Sequence, residues 1–237
     1  MNKFIFDVDG TLTPSRGIIN PDFKAFFNAF CLTNDVYLVT GSDRAKTIEQ
    51  ISEPTYNLCK RVYNCSGSDV YEGSINVHRT DWKLPDLART FLVNCEYESD
   101  FSLRTGNHIE ERPGMVNFSV VGRNASLYER KQYVDYDTIE NERTTIANAF
   151  NIMFPDLQAT VGGETGIDIA PRGADKSQIL RDFTNKDRVL FFGDAMFEGG
   201  NDYPLAVAIT NGGSFGVSDW TDTWKHLKDK NICKGSA

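Results

Sequence analysis

The chain has 237 residues, 40% of them apolar and 12% aromatic, which excludes a disordered polymer, and its formal net charge of −8 leaves no basic footprint for nucleic acid. An acidic surface also repels phosphorylated ligands, so any phosphate site has to be a local cluster of positive charge or a metal. The five cysteines, Cys31, Cys59, Cys65, Cys95 and Cys233, form no CxxC pair. Met1-Asn2-Lys3 runs directly into an apolar strand with no secretory segment, so the expectation is reduced thiols in the cytoplasm, without disulfides or zinc. No apolar run is long enough to span a bilayer, and Gly235-Ser236-Ala237 is set aside from the fold.

Phe4-Ile5-Phe6 is a short apolar run that ends at Asp7 and reads as a buried strand. Pro21 to Phe30 carries Phe and Ala at helical spacing behind Asn20, a suitable N-cap. Val36 to Val39 reads as a second buried strand, ending at Thr40-Gly41-Ser42-Asp43, and a helix through Ile48 and Ile51 follows. Val62-Tyr63 is a third strand, broken by Ser66-Gly67-Ser68. This strand–helix–strand rhythm predicts a parallel sheet with helical crossovers.

The pattern then changes. Leu84 to Cys95 is helical, Met115 to Val121 alternates like a strand with one polar face, and Glu140 to Phe150 is a polar-faced helix. Thr160 to Ile169 runs through Gly162-Gly163 into another alternating strand. The first rhythm returns with a helix at Ser177 to Phe183, a strand at Val189 to Phe192 ending at Gly193-Asp194, and a short strand at Val207 to Ile209. The expected architecture is α/β: a doubly wound parallel-sheet, Rossmann-like core of residues 1–79 and 172–237, interrupted by an α+β cap at 80–171.

Asp7-Val8-Asp9-Gly10-Thr11 stands where the first strand gives way to a loop, and ligands of open α/β sheets gather at the carboxyl ends of the strands. Gly10 permits a bend that would turn both carboxylates into one site. Asp7 could then attack phosphorus to form an aspartyl-phosphate, and Asp9 could protonate the leaving oxygen and deprotonate the next acceptor. Carboxylates so close call for a cation, and magnesium suits oxygen ligands and phosphate chemistry. Alone, the DxD describes a surface turn equally well.

Thr40 ends the second strand, where its hydroxyl could hold a phosphate oxygen or merely cap the strand. Lys176 near a helix start opposes the helix dipole, which points to a specific job such as pairing with Asp7, although a solvated surface lysine also fits. Asp194 and the Gly199-Gly200-Asn201-Asp202 loop could ligate magnesium or form an Asp/Gly-rich turn. Their joint occurrence, in order, at strand ends of one sheet favours the catalytic set over four coincidences. Arg112 and Arg123 flank the Met115–Val121 strand and Arg130 follows. Their forked side chains suit phosphate, or they are simply solvated strand-end charges.

DVDGT, Thr40, Lys176 and the GD…GGND loop resemble the four motifs of the haloacid dehalogenase superfamily, whose members mostly transfer phosphoryl groups through an aspartyl-phosphate with magnesium. The resemblance implies Asp7 as nucleophile and Asp9 as acid/base, with Thr40 and Lys176 completing the catalytic set. It also implies magnesium held by Asp7, the Asp9 carbonyl and Asp194, supported by Asn201 and Asp202. LVTGSDRAKTIEQI, ERPGMVNFSVVGR followed by YER, GGETGIDIAPRGADK and FFGDAMFEGGND resemble the eukaryotic-type phosphomannomutases, in order over nearly the whole chain. Arg16 matches an arginine position of that family. This resemblance implies that Arg16, Arg112, Arg123 and Arg130 hold the phosphate that is not reacting. It implies too that Asp168, assisted by Asn117, binds sugar hydroxyls, and that the protein is a homodimer joined through the caps.

Thr40, Gly166, Ala174 and Tyr203-Pro204 depart from the family pattern, and bear on the sugar preference and on mutase activity itself. The expected activity is a phosphohexomutase interconverting mannose 6-phosphate and mannose 1-phosphate with a hexose 1,6-bisphosphate activator. A sugar-phosphate phosphatase would use the same Asp7 chemistry, and the core motifs do not separate the two. A non-catalytic sugar-phosphate binding protein is a third reading, against which the intact Asp7, Asp9, Lys176 and Asp194 argue. Neither nucleic acid nor a membrane is an expected partner.

Overall fold

The computed structural model describes residues 1–229, which form two compact units: Met1–Arg79 with the segment from Ala174 onward, and Thr80–Gly173. Cys233 and the Gly235–Ala237 tail lie outside the described residues. Arg172 and Gly173, placed in the core by the sequence reading, belong instead to the second unit, where the Arg172 guanidinium donates to the carbonyls of Pro155 and Leu157.

The chain opens with β1 (Asn2–Phe6), α1 (Pro21–Thr33), β2 (Asp35–Val39), α2 (Arg44–Ile51), α3 (Glu53–Leu58), β3 (Arg61–Asn64) and the hairpin of β4 (Asp69–Glu72) and β5 (Ile75–Arg79). The second unit comprises α4 (Asp86–Glu98), β6 (Ile109–Arg112), β7 (Met115–Phe118), α5 (Leu127–Glu140), α6 (Glu142–Met153), β8 (Leu157–Gly162) and β9 (Gly166–Pro171). The first unit then resumes with a 3-10 turn, Lys176–Asp182, followed by β10 (Arg188–Gly193), α7 (Tyr203–Ala208), β11 (Gly212–Gly216) and α8 (Trp220–Lys228).

In the first unit the strand order is β11-β10-β1-β2-β3-β4-β5. Strands β11 through β3 run parallel, and β4 and β5 antiparallel. Alternate residues of β1 enter different cores. Phe4 and Phe6, with Leu38 and Phe192, pack against Phe23 and Phe27 of α1 and Tyr56 of α3; Ile5, with Val39 and Phe191, packs against Ile179 and Leu205. Both faces are covered, which is why these strands read as continuous apolar runs. Each fully buried Phe or Leu contributes about 1.5–3 kcal/mol. Asn20 Oδ1 accepts from the N–H groups of Asp22 and Phe23 and so starts α1, and Asp43 Oδ1 does the same for α2 through Lys46 N–H.

The structure corrects several sequence assignments. Val207-Ala208-Ile209 is not a strand: it overlaps α7, which Pro204 opens in its first turn, and the strand of this region is the later β11. Ser177 to Phe183 is a 3-10 turn, started by Asp175 Oδ1 accepting from Ser177 N–H. The helix expected from Glu140 is two helices, divided at Asn141, whose φ of 53° ends α5 in the left-handed conformation. Thr160 to Ile169 is a hairpin of β8 and β9.

The second unit is an antiparallel sheet, ordered β6-β7-β9-β8, with three helices. Val116, Phe118, Ile167, Ile169 and Ala159 form one apolar side against Leu92, Tyr133 and Phe150 of α4, α5 and α6. The opposite side carries a cross-strand row in which Glu110 pairs with Asn117, Asn117 with Asp168, and Asp168 with Thr160. The period of two along a strand produces this separation of apolar and polar sides.

Candidate active site

Strand register fixes which residues leave the first sheet together. Phe6 pairs with both Phe192 and Leu38, so Asp7, Thr40 and Asp194, just beyond β1, β2 and β10, emerge at the carboxyl edge of the sheet. The loop after β1 folds back tightly: the N–H groups of Thr11, Leu12 and Thr13 all donate to the Val8 carbonyl, at 3.3, 2.9 and 3.0 Å. Gly10 has φ +75°, and a Cβ there would stand 2.2 Å from Asp194 Oδ2. Glycine thus lets the first loop pass against Asp194. Gly10→Ala is expected to displace Asp194 and to lower stability by about 1–3 kcal/mol, which urea unfolding checks.

Asp7, Asp194 and Asp202 bring carboxylate oxygens within 4.8 Å of one another. The Lys176 ammonium, fully buried, donates to Asp7 Oδ1 at 2.5 Å and to Asp202 Oδ1 at 2.7 Å. Asp202 Oδ2 also accepts from Ala195 N–H at 3.1 Å. Lys176 can reach this depth because its 3-10 turn is tied to the short turn after β3: Gln178 Nε2 donates to the Ser66 carbonyl and Arg181 to that of Gly67.

Burial, reinforced by Asp202, pushes the Asp7 carboxyl up to about 8, against the pull of Lys176. Burial works against the Lys176 ammonium too, but Asp202 and Asp7 outweigh it and hold it firmly protonated. Three carboxylates around one ammonium leave an excess of negative charge, which takes up either a proton or a cation. The donors are all oxygen, the set that a hard divalent cation prefers.

Asp9 turns to other partners. Its Oδ1 accepts from Gln50 Nε2 at 2.7 Å and from Arg16 N–H at 2.6 Å, and its Oδ2 lies 3.5 Å from Ser42 Oγ. The two carboxylates of the DxD therefore do not share one set of contacts, and a ligand role for Asp9 rests on its backbone carbonyl. Arg16 is exposed, sits at φ 56°, and is tied to this loop through its backbone N–H. Thr40 is buried; its N–H donates to the Tyr63 carbonyl and its Oγ1 accepts from Ser42 N–H. Asn201 is exposed, next to Asp202. Sequence reading missed Gln50 and Ser42. Both stand in the run already read as strand end and helix, and nothing in the periodicity marks a side chain that reaches back to another loop.

In the second unit, Arg112 and Arg123 converge on a carboxylate that the sequence reading passed over. Arg112 Nε donates to Glu110 Oε1 and its Nη2 to Oε2, both at 3.2 Å, and Arg123 Nε donates to Glu110 Oε2 at 2.5 Å. Burial opposes ionisation of Glu110, but the two arginines hold its carboxyl below the usual range. Asn117 Nδ2 donates to Asp168 Oδ1 at 2.6 Å. Burial raises the Asp168 carboxyl, while Asn117, Arg112 and Arg123 pull it down. Added Cβ atoms at Gly162 and Gly166 would come within 2.4 Å of Asp168 and 2.6 Å of Asn117, so these glycines make room for both side chains. Arg130 stands apart from Glu110: it is buried on α5 and donates to Glu164 Oε2 at 3.2 Å in the β8–β9 turn.

Solved structures share this fold. A haloacid dehalogenase-like hydrolase from Bacteroides thetaiotaomicron aligns with TM-score 0.60 and 14% identity over 95% of this chain and 92% of its own. A trehalose-6-phosphate phosphatase related protein aligns with TM-score 0.55 and 17% identity over 95% and 96%. The parallel core with its separate antiparallel sheet thus has the fold of haloacid dehalogenase-like hydrolases. In sequence the chain is similar to the phosphomannomutase of Spinacia oleracea, 34% identical over 97% of this chain and 96% of that protein. It is 32% identical to phosphomannomutase 1 of Dictyostelium discoideum over 95% and 94%. The family model of eukaryotic phosphomannomutase matches residues 23–232, and the chain belongs to that family.

Proposed function

We propose that the chain is a phosphohexomutase that interconverts mannose 6-phosphate and mannose 1-phosphate. The observation that carries this reading is the extent of the family match, which runs through both units: 34% identity over 97% of the chain includes the cap as well as the core. A phosphatase needs only the core chemistry, whereas a mutase also needs a cap able to hold a second phosphate in either substrate orientation.

An Asp7 carboxylate oxygen attacks a phosphorus of a hexose 1,6-bisphosphate. The bond from phosphorus to the sugar oxygen breaks, and Asp9 gives that oxygen its proton. Asp9 then takes the proton of the acceptor hydroxyl as that oxygen attacks the aspartyl-phosphate, and Asp7 leaves as a carboxylate. The Lys176–Asp7 contact supports the first step, because it fixes one carboxylate oxygen and supplies a permanent counter-charge. Gln50 and the Arg16 N–H support the second, because they hold the Asp9 carboxylate in one orientation. The Thr40 hydroxyl proton is available for a phosphate oxygen.

The oxygen donors of Asp7, Asp194 and Asp202 fit Mg2+, with the Asp9 carbonyl and Asn201 as further candidate ligands. Bound there, the ion would offset the charge of the transferring phosphoryl group. Arg112, Arg123 and Arg130 are assigned to the non-reacting phosphate, Asp168 and Asn117 to sugar hydroxyls, and Arg16 of the core is a further substrate-binding candidate. A cytoplasmic location is supported by the free Cys31, Cys59, Cys65 and Cys95. Among the described residues no helix is long and apolar enough to cross a membrane. A homodimer through the cap rests on the family resemblance, and the exposed Leu87, Val93 and Tyr97 on α4 supply apolar surface for it.

The test is phosphorus NMR of the protein with magnesium, mannose 1-phosphate and a hexose bisphosphate. Mannose 6-phosphate is expected to accumulate, EDTA to stop the reaction and added magnesium to restore it. Free phosphate accumulating without mannose 6-phosphate would replace the mutase with a phosphatase.

A further inference from the structure

Arg112 and Arg123 reach Glu110 from opposite ends of β6. Arg112 lies two residues beyond Glu110 and so on the same side of the strand. Arg123 arrives from the loop after β7, where its N–H is fixed to the Asn107 carbonyl at 2.7 Å, just ahead of β6. Each guanidinium commits its Nε to Glu110. Glu110 is itself held by strand register opposite Asn117. Beside it, the buried Asn117 Oδ1 has no hydrogen-bond donor among the described residues.

We propose that Glu110 is a positioning residue for sugar-phosphate binding, gripping both guanidiniums by their Nε sides so that Arg112 and Arg123 act on one phosphate together. A free arginine loses rotamer freedom when it binds phosphate, while one already clamped through Nε has lost that freedom beforehand. Glu110 also separates two like charges that would otherwise repel. The opposing effect is repulsion between Glu110 and the phosphate, so the sign of the Glu110→Ala effect decides the matter. The inference rests on the assignment of Arg112 and Arg123 to a substrate phosphate.

Titration calorimetry of mannose 1-phosphate with the full chain tests it, using wild type, E110Q, E110A, R123A and the E110A/R123A double variant. The dissociation constant is expected to rise about tenfold in E110A, and clearly less when E110A is added to R123A, because contacting residues couple. E110Q, which keeps one acceptor oxygen, should fall between wild type and E110A. With turnover, KM should rise while kcat stays within about threefold, the signature of lost uniform binding. Circular dichroism melting confirms that each variant folds, and E110Q takes the place of E110A in the cycle if E110A does not. Unchanged or tighter binding in a folded Glu110 variant, or full additivity with R123A, overturns the proposal. Binding without turnover by wild type would sink the mutase reading yet leave the cycle readable, and a wild type that does not bind overturns both.

Discussion

Asp7→Asn is expected to reduce phosphoryl transfer by about 10⁴-fold or more, with the fold retained. The amide has nearly the shape of the carboxylate and can still accept from Lys176, but its oxygen is a poor nucleophile for phosphorus and cannot form the aspartyl-phosphate. Stability should not fall with activity. Asp7 is one of three carboxylates crowded around a single ammonium, and burial already penalises its charged form. Removing that charge relieves repulsion with Asp194 and Asp202, so the melting temperature should equal or exceed that of wild type. Such a trade of stability against function is common where like charges are gathered for chemistry. Rates in the phosphorus NMR assay and a thermal melt by circular dichroism give both numbers. Retention of most of the activity would remove Asp7 from the mechanism.

The second large effect is expected at Lys176. Its side chain and that of Asp202 are fully buried, and that of Asp7 almost so. Lys176→Met keeps the length and volume of the side chain but deletes the cation that both carboxylates contact. Breaking a buried pair from one side costs about 3–5 kcal/mol, because the remaining charges stay desolvated without a partner. The urea midpoint should drop accordingly. Magnesium should shift the midpoint of the variant upward more than that of wild type, because the carboxylates that lost their ammonium have more to gain from a cation. Activity should fall even at saturating magnesium, because Asp7 loses the donor that orients it. A variant as stable as wild type would mean that the carboxylates take up protons at no net cost, and that Lys176 contributes no structural charge balance.

Much of the catalytic unit was legible in the chain. The runs Phe4–Phe6, Val36–Val39 and Val189–Phe192 are apolar throughout because both faces of their sheet are covered, and each is followed within two residues by the polar residue that emerges at the sheet edge. Where the sequence misled, the cause is physical. Val207-Ala208-Ile209 is too short for periodicity to distinguish helix from strand. Strand β11 is glycine-rich and reads as a turn, yet a Cβ at Gly212 would stand 1.7 Å from the Val189 carbonyl oxygen, so close packing against β10 demands glycine there whatever its strand propensity. Helices α5 and α8 carry strongly polar faces and short apolar stripes, and Asn141 hides the break between α5 and α6.

The sequence by itself determined the α/β class, the strand ends that carry Asp7, Thr40 and Asp194, and the family, because burial periodicity and short motifs at strand ends are local properties of the chain. Only the tertiary structure decided that Lys176 lies between Asp7 and Asp202, that Gln50 donates to the Asp9 side chain, and that Glu110 joins Arg112 to Arg123. Apart from the Glu110–Arg112 pair, two residues apart on one strand, those contacts span from 13 to 169 residues of chain. The long ones are set by strand register and by the path of loops between elements, which no local pattern of residues encodes.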